Sequence, residues 1–354
     1  MKVAIIGAGA SGLLLATMLD KNNIEYDIFN ATEKIGSKIK TSGNGRCNIS
    51  NINFSFDSYH NNKFSKIIKN NQKELFEYFK ELKIYTKVDE EGRMYPISEN
   101  SLSVLNIFKK NIKKEIIIDL ITKVDKKGKN YYLNDKYGPF DKIILAMGSA
   151  AGIKNYNYDL INNLNLKFNE FKPSLVGFKT NLKIKEISGV RSKATTYLYN
   201  NDELIHKEKG EIIFKDEGIS GIVIMNQSSY YNYIDNKSNT RIILDLIEDD
   251  YDVLDSIISP KLLNYINKNN INPHKFIIPI IDTYEMEFAQ VAKGGISVDE
   301  FNDNLSLKKD NNIYAMGELL DIDGICGGYN LMNAFTNAIL VYKDLVNEIS
   351  NKWF

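Results

Sequence analysis

A glycine pattern near the start of the chain restricts its possible folds more than any other feature. The apolar run 3–6 is followed by Gly7-x-Gly9-x-x-Gly12, and a second apolar run, 13–19, has the length and composition of a helix. A strand that turns into a helix through this spacing is typical of dinucleotide-binding folds. Gly7 allows the tight turn, Gly9 lets the backbone approach a pyrophosphate, and Gly12 allows close strand–helix packing. The pattern therefore predicts a helix N-terminus that holds phosphate groups.

The residue after the next predicted strand, 26–29, is Asn30. Dinucleotide-binding folds commonly carry an acid at this point, which accepts hydrogen bonds from a ribose. An amide makes similar contacts without charge assistance, so each bond is weaker. We expect Asn30 to bind the adenosine ribose, and Glu33 to be either a substitute for the acid or a solvated charge.

Composition narrows the class of protein further. The 354 residues contain 45 Lys+Arg and 45 Asp+Glu, so the formal net charge of +0 argues against a nucleic-acid binder. With 3 His and 2 Cys, the chain lacks the residues for a zinc framework or a disulfide-stapled domain, and we expect no metal site. No apolar run approaches the roughly 18 residues that span a bilayer. Because a predicted strand follows Met1 directly, we expect no signal peptide, no membrane partner and a cytoplasmic location.

The hydrophobic pattern predicts two domains, one of them discontinuous. Buried-type strands recur at 142–148 and 313–317, and a last helix is predicted over 331–349. Between them, short alternating segments from about 165 to 290 indicate antiparallel strands, with a helical stretch near 251–269. We predict a nucleotide-binding domain formed by 1–160 and 290–354, with a mostly β domain, 161–289, and its small helical part inserted into it.

Segment 42–51, Ser-Gly-Asn-Gly-Arg-Cys-Asn-Ile-Ser-Asn, is the most specific in the chain. Together with the first glycine turn and the blocks 210–221, 294–296 and 313–331, it resembles the BaiN/YhiN-like family of FAD-dependent flavoproteins. These are NAD(P)/FAD-dependent oxidoreductases that include aminoacetone-oxidase-like members. The matching blocks lie at both ends and in the middle, so the resemblance covers most of the chain.

The resemblance implies an α/β protein with a Rossmann-like, glutathione-reductase-type FAD-binding domain. It implies an oxidoreductase that transfers a hydride between FAD and a small organic substrate or NAD(P)H, with NAD(P)H as a transient reductant. Whether the enzyme is a reductase or an oxidase stays open. The alternative is a FAD-binding flavoprotein with a non-redox or regulatory role. The implied partner is a small molecule, with no nucleic acid and no membrane.

The resemblance also assigns residues to the cofactor. Glu318 would accept hydrogen bonds from ribityl hydroxyls, the helix that begins near Gly328 would point its positive end at the flavin, and the Val124 backbone would cover the adenine. The full set of predicted cofactor-binding residues is Gly7, Gly9, Ala10, Ser11, Gly12, Asn30, Lys38, Ser42, Gly43, Asn44, Gly45, Arg46, Cys47, Val124, Ala146, Gly148, Gly317, Glu318, Gly328, Tyr329, Asn330 and Leu331.

Several side chains have two interpretations. Arg46 has two possible roles. It either places a positive charge beside the flavin or beside a carboxylate of the substrate, or it forms a salt-bridged clamp within its own loop. Lys38 contacts phosphate or flavin, or is solvated. Cys47 and Cys326 are either a redox pair or small buried thiols. The candidate catalytic residues are Arg46, Cys47 and Tyr329.

Overall fold

The structure, a computed structural model, describes residues 1–247, 249 and 251–351. The α-helices are α1 (Ala10–Lys21), α2 (Ser37–Thr41), α3 (Asn62–Glu81), α4 (Ser101–Asn111), α5 (Asp159–Asn163), α6 (Ile222–Tyr231), α7 (Pro260–Lys268) and α8 (Tyr329–Asn351). The strands are β1 (Lys2–Ile6), β2 (Glu25–Asn30), β3 (Ser50–Asn51), β4 (Thr86–Val88), β5 (Arg93–Pro96), β6 (Ile116–Ile118), β7 (Val124–Lys127), β8 (Asn130–Leu133), β9 (Tyr137–Phe140), β10 (Lys142–Leu145), β11 (Phe168–Ser174), β12 (Phe178–Lys179), β13 (Arg191–Asn200), β14 (Glu203–Lys215), β15 (Gly218–Ser220), β16 (Thr240–Asp245), β17 (Phe276–Pro279), β18 (Asp282–Thr283), β19 (Val291–Ile296), β20 (Ser306–Leu307) and β21 (Asp310–Ala315).

The chain packs into two compact units. The first unit comprises Met1–Ser149, Asn155–Phe171 and Gly294–Phe354, and the second comprises Ala150–Lys154 and Lys172–Lys293. The two domains predicted from the sequence, one formed by 1–160 and 290–354 and the other by 161–289, stay a prediction. In the packing units, residues 161–171 belong with the first unit, and 150–154 and 290–293 belong with the second.

A six-stranded sheet in the order β20-β21-β10-β1-β2-β6 forms the centre of the first unit. The strands β21, β10, β1, β2 and β6 are parallel, and β20 pairs antiparallel with β21. Numbered along the chain, the parallel strands have the order 3-2-1-4-5, with the first strand in the middle. This is the Rossmann-type order, and it confirms the predicted fold class.

Burial explains why this sheet forms. Val3, Ala4 and Ile5 of β1 are inaccessible to solvent, as are Ile143 and Ile144 of β10. Such continuous apolar strands are typical of parallel sheets that are covered on both faces. The same core takes in apolar residues of α1 and α8, which also contact each other. The sheet and these helices thus hold the glycine turn after β1 next to the ends of β10 and β21.

The second unit is built on a seven-stranded sheet in the order β17-β16-β13-β14-β15-β12-β18. All of its pairings are antiparallel, and it has its own apolar core. The helices α6 and α7 contribute to that core. The predicted mostly β character with a small helical part is therefore confirmed. Within the described ranges of both units, no helix has the length and apolar composition needed to cross a membrane.

Candidate functional site

Two glycines of the first turn are required by the packing of the chain itself. Gly7 has a φ of +118°, and its N–H donates to Phe29 O at 2.8 Å. A Cβ at Gly7 would lie 2.2 Å from Ala146 O, and one at Gly12 would lie 2.0 Å from Gly7 O. Any larger residue at either position would push β1, β10 and α1 apart.

Gly9 is different because, among the described residues, no atom competes for the space beside it. Its φ of −86° suits any residue, and the nearest atom to an added Cβ is Ala146 O at 3.9 Å. Gly9 is the N-cap of α1, and no side chain in the described part of the protein caps that helix end. The first N–H groups of α1, including those of Ser11 and Gly12, are therefore left for another acceptor, such as a phosphate.

Asn30 braces the glycine turn. Its Oδ1 accepts from the Ala8 N–H at 3.0 Å, and its Nδ2 donates to Thr32 O at 2.6 Å. An amide can accept two hydrogen bonds and donate two, so half of its capacity remains for a ligand. Glu33 is exposed.

The loop 42–47 is held in an unusual backbone conformation. Gly43, Asn44, Gly45 and Cys47 all have positive φ values, between 55° and 82°. For Asn44 and Cys47, which carry a Cβ, this costs roughly 1–3 kcal/mol each. Such strain is typical of segments whose shape serves a function. Within the loop, the Cys47 N–H donates to Ser42 O at 3.0 Å, and the Ser42 hydroxyl donates to Ile39 O at 3.0 Å.

The Cys47 thiol is fully buried and unionised at neutral pH. Burial raises its pKa to about 12, and the hydrogen bond with Ser42 lowers it only in part. Because the thiolate is the reactive form, this environment argues against Cys47 as a nucleophile. Neither Cys47 nor the partly exposed Cys326 forms a disulfide in the described part of the chain.

Arg46 makes the contacts of a loop clamp. Its guanidinium lies over the Tyr95 ring, 4.7 Å from the centroid, and 3.8 Å from Glu99. Its Nε also donates to Gly43 O at 3.3 Å. These contacts support the second of the two interpretations of Arg46, although its role toward a ligand stays a prediction.

The start of α8 lies against segment 48–51. A Cβ at Gly328 would lie 2.5 Å from Ser50 O and 2.6 Å from Asn48 Oδ1, and Gly328 has a φ of +98°. The Asn51 amide donates to Gly327 O at 3.0 Å. Asn48 Oδ1 and Ser50 Oγ are buried and have no hydrogen-bond partner among the described residues. Buried polar atoms usually have partners, so these two indicate a group that the protein itself does not supply.

Two of the predicted residues in the first turn of α8 are used to hold loops. The Tyr329 hydroxyl donates to Asn53 O at 2.8 Å, and its backbone carbonyl accepts from the Tyr59 hydroxyl at 2.7 Å. Asn330 bonds both the N–H and the carbonyl of Gly324 through its amide, at 2.9 and 2.8 Å. Leu331 is half-buried.

An ion pair joins two predicted site residues that are far apart in sequence. The Lys38 ammonium contacts the Glu318 carboxylate, and it also donates to Ser149 Oγ at 3.2 Å. The turn that carries Glu318 packs closely between helices. A Cβ added at Gly317 would lie only 3.1 Å from Ser11 Oγ. The structure thus brings α2, the start of α1 and the end of β21 together.

The remaining predicted residues are Val124, Ala146 and Gly148, whose backbone contacts or conformation the structure defines. The Val124 N–H donates to Asn163 Oδ1 at 2.9 Å, and the contact of the Val124 backbone with an adenine stays a prediction. The Ala146 N–H donates to Ile6 O at 2.8 Å. Gly148 has a φ of +73°, and an added Cβ there would meet no atom within 4 Å.

Some residues of this region were missed by the sequence analysis. The Tyr156 hydroxyl donates to Gly148 O at 2.9 Å, and burial raises the pKa of Tyr156 well above its usual range, with a further rise from negative charge on Tyr158 and Glu318. Asn337 accepts from the Gly317 N–H at 2.9 Å. Asn337 could have been found, since Asn333 and Asn337 have helical spacing within an apolar run. Tyr156 carries no such signal. Among the described residues, no cluster of His, Cys, Asp or Glu has the arrangement of a metal site.

Known proteins similar to this chain agree with the fold. A sequence model described as "HI0933-like protein Rossmann domain" matches residues 1–343. The 3-dehydro-bile acid delta(4,6)-reductase of Clostridium scindens is 26% identical over 400 aligned positions, which cover 96% of this chain and 97% of that protein. The ribosomal RNA dihydrouridine synthase of Haemophilus influenzae is 22% identical over 94% of this chain and 96% of its own length.

A solved structure extends the comparison of folds. The 3-ketosteroid delta1-dehydrogenase from Sterolibacterium denitrificans, solved with 1,4-androstadiene-3,17-dione, superimposes with a TM-score of 0.50 at 10% identity. The superposition covers 98% of this chain and 99% of that one, and at this identity it describes the fold alone. The family match spans nearly the whole chain and confirms the resemblance found in the sequence. The chain therefore belongs to the HI0933-like protein family and is a FAD-dependent oxidoreductase built on that family's Rossmann domain.

Proposed function

We propose that this oxidoreductase adds hydrogen across a carbon–carbon double bond conjugated with a carbonyl group, with NAD(P)H as electron donor. The observation that carries the proposal is the agreement between two relatives that this chain matches over nearly their whole length. One is named a 3-dehydro-bile acid delta(4,6)-reductase and the other a ribosomal RNA dihydrouridine synthase, and both names denote saturation of a double bond. Conjugation with a carbonyl group makes the β-carbon, the double-bond carbon that is not bonded to the carbonyl, electron-poor. This carbon therefore accepts a hydride.

The proposed reaction balances without a further reactant. The double bond gains one hydride and one proton, and NAD(P)H is oxidised to NAD(P)⁺. Bound FAD supplies the two-electron step between donor and substrate. The protein's own contribution is to bind and orient the substrate and the electron donor and to exclude water.

Residues of the first unit would bind FAD in four places. The open space beside Gly9 and the uncapped start of α1 would hold the pyrophosphate. Asn30, with its remaining hydrogen-bond capacity, would bind the adenosine ribose. The start of α8 and the unpartnered Asn48 and Ser50 side chains would bind the flavin portion. Glu318, held by Lys38, would accept from ribityl hydroxyls.

Solvent is the proton source that we assign to the reaction. The Tyr329 hydroxyl is buried and donates to a backbone carbonyl, so its proton is already engaged. The Cys47 thiol is buried, with its pKa raised to about 12. A proton from either group would leave a buried negative charge behind, which is costly.

Anaerobic reduction of the purified protein tests the proposal. We expect a yellow protein whose visible flavin absorbance bleaches on addition of NADH or NADPH and recovers when a steroid enone is added. Bleaching only by an amine, with peroxide formed in air, would instead identify an oxidase. A colourless protein that takes up no FAD would refute the proposal.

A second candidate substrate is uridine in ribosomal RNA, because one relative is named for that activity. The charge of the second unit argues against it. Residues 150–154 and 172–293 contain 16 Lys+Arg and 17 Asp+Glu, whereas RNA binding usually relies on a basic excess. Recovery of the oxidised spectrum with ribosomal RNA, and not with the enone, would favour the RNA substrate.

A further inference from the structure

Two asparagines lie in the buried part of α8. Asn337 is inaccessible to solvent, Asn333 is 2% exposed, and Phe335 between them is fully buried as well. Burying an amide costs free energy unless the protein replaces the hydrogen bonds that water would make. Asparagine is also a poorer helix former than leucine or alanine. The hydrogen bonds of the two amides therefore decide what these residues contribute.

Asn337 is the acceptor for a backbone N–H that lies just beyond the central sheet. The Met316 N–H still donates to β10, at Leu145 O, over 3.0 Å. The next N–H, that of Gly317, donates instead to Asn337 Oδ1 at 2.9 Å. Gly317 is buried and has a φ of +71°, so the chain turns away from the sheet at this point. A buried N–H without an acceptor is costly, so this one depends on Asn337.

Asn333 selects the orientation of the Asn337 amide. Asn337 Nδ2 donates to Asn333 Oδ1 at 3.0 Å, and this bond is buried too. An amide carries its acceptor oxygen on one side and its donor NH₂ group on the other. If the Asn337 amide were reversed, its NH₂ group would face the Gly317 N–H, and its oxygen would face the Asn333 oxygen. Asn333 and Gly317 therefore favour the same orientation.

The turn that is held in this way carries Glu318. The turn also lies against α1, because a Cβ added at Gly317 would be 3.1 Å from Ser11 Oγ. The Glu318 carboxylate, whose side chain is 13% exposed, contacts Lys38. A hydrogen bond keeps its strength only within a narrow range of distance and angle. A displaced turn would therefore weaken a bond from this carboxylate to a ligand.

We infer that Asn337 is a positioning residue for FAD that acts through Glu318. By accepting from the Gly317 N–H, Asn337 keeps the Glu318 carboxylate where it accepts from the ribityl hydroxyls. Asn333 keeps the Asn337 amide in the orientation that this requires. All of these residues belong to the first unit. The inference rests on the proposed contact of Glu318 with FAD, and it is independent of the electron donor and of the substrate.

A double-mutant cycle on FAD binding tests the inference. Equilibrium dialysis of the FAD-loaded protein gives the dissociation constant of FAD. We expect Asn337→Ala and Glu318→Ala each to weaken binding about tenfold, because each variant removes or displaces the same hydrogen bond to the cofactor. The double variant should also bind about tenfold more weakly than the unaltered protein, since two residues that act through one contact are not additive.

Three further variants separate positioning from a loss of stability. Asn337→Asp keeps an oxygen for the Gly317 N–H, and burial favours its neutral carboxyl group, which can donate to Asn333. This variant should bind FAD within about threefold of the unaltered protein. Asn333→Ala leaves the Asn337 amide free to turn and should weaken binding about threefold. Asn71→Ala removes a buried asparagine of α3 that bonds α8 at Lys343, and it should leave FAD binding unchanged.

The outcomes separate this inference from the proposed function. Independent effects, which would weaken binding about a hundredfold in the double variant, would overturn the inference. A loss in Asn337→Ala that Asn337→Asp does not recover would overturn it too. Unchanged FAD binding in Asn337→Ala, with a lower free energy of unfolding, would show that the amide serves the fold alone.

Unchanged binding in Glu318→Ala would contradict the contact of Glu318 with FAD and the inference together. Failure of NAD(P)H to bleach the flavin would contradict the proposed function, and the cycle on FAD binding would still support or overturn the inference. If Asn337→Ala does not fold, Asn337→Ser takes its place in the cycle, because the shorter serine side chain ends before the position of the amide oxygen.

Discussion

At the scale of single residues, the three glycines of the first turn have different reasons to be glycine. The sequence motif treats them as one pattern, but the structure separates packing from space for a ligand. Gly7 and Gly12 are enclosed by backbone atoms, whereas in the described part of the chain the nearest atom to a Cβ added at Gly9 is Ala146 O at 3.9 Å. The strand, the turn and the helix could be predicted from the sequence. The distinction between the glycines could not, because it depends on Ala146 O, which lies 137 positions after Gly9.

This difference predicts different effects for two alanine substitutions. Gly12→Ala should lower the free energy of unfolding of the FAD-stripped protein by about 1–3 kcal/mol, because its Cβ overlaps Gly7 O. Gly9→Ala should change that free energy by less than about 1 kcal/mol and still lower the flavin content of the purified protein. Urea unfolding and the ratio of flavin to protein absorbance measure the two effects. A Gly9→Ala variant with full flavin content would contradict a phosphate site at this turn.

Cys47 gives a second prediction at this scale. At pH 8 a thiol reagent should label Cys326 and leave Cys47 unlabelled until the protein is unfolded in urea, because the pKa of buried Cys47 is raised to about 12. The folded pKa lies above that of an exposed thiol, about 8.5. The contribution of Cys47 to stability is therefore full below about pH 8.5 and decreases as the pH rises toward 12. Counting labelled thiols by mass spectrometry, with Cys47→Ala as control, checks this; two fast-reacting thiols in the native protein would contradict it.

At the scale of elements, the sequence predicted which elements exist better than where they begin. The last helix was predicted from 331 and starts at Tyr329, and the helical stretch near 251–269 is α7, which starts at Pro260. Proline at the first position of a helix lacks only an N–H that would be unpaired there anyway, so it marks the start of α7. Contacts such as the one between Lys38 and Glu318 could not be predicted, since nothing local couples positions 280 residues apart.

That ion pair predicts unequal effects for its two partners. Lys38→Met removes the positive charge beside the Glu318 carboxylate, whose side chain is only 13% exposed. Glu318→Gln removes the negative charge beside Lys38, whose side chain is 35% exposed and also contacts Ser149. We therefore expect Lys38→Met to cost about 1–2 kcal/mol more in unfolding free energy than Glu318→Gln, allowing for partial exposure. Lys268→Met, which breaks the exposed pair with Glu186, is the control and should cost less than about 0.5 kcal/mol. Equal costs for both partners would show that the pair lies in effectively bulk solvent.

At the scale of the whole molecule, the two units differ in what a cofactor should do to them. All the positions at which FAD is proposed to bind belong to the first unit. A ligand that binds only the folded state stabilises what it binds, by about 4 kcal/mol at a thousandfold excess over its dissociation constant. The second unit has a separate apolar core.

Hydrogen–deuterium exchange should therefore respond unevenly to FAD. We expect slower exchange at 7–12, 42–51 and 317–331 when FAD is added to the stripped protein, and little change in β13 and β14 of the second unit. Peptide-level mass spectrometry gives the comparison, and ADP added alone should protect 7–12 without 42–51. Uniform protection throughout both units would mean that they unfold as one cooperative body.

The discontinuity of the first unit has a consequence for how the protein is made. Gly9 and Gly328, the two helix starts that would hold the ends of FAD, are 319 positions apart. Between them the ribosome must produce the entire second unit, and β21, which pairs with β10, emerges only after that unit. A nascent chain thus carries an open edge at β10 from Leu145 until β21 begins at Asp310, 165 positions later, and open edges favour association with other chains. We expect flavin to be acquired only after the start of α8 has been synthesised, so that a shortage of FAD would lead to accumulation of folded, colourless chains rather than stalled ones.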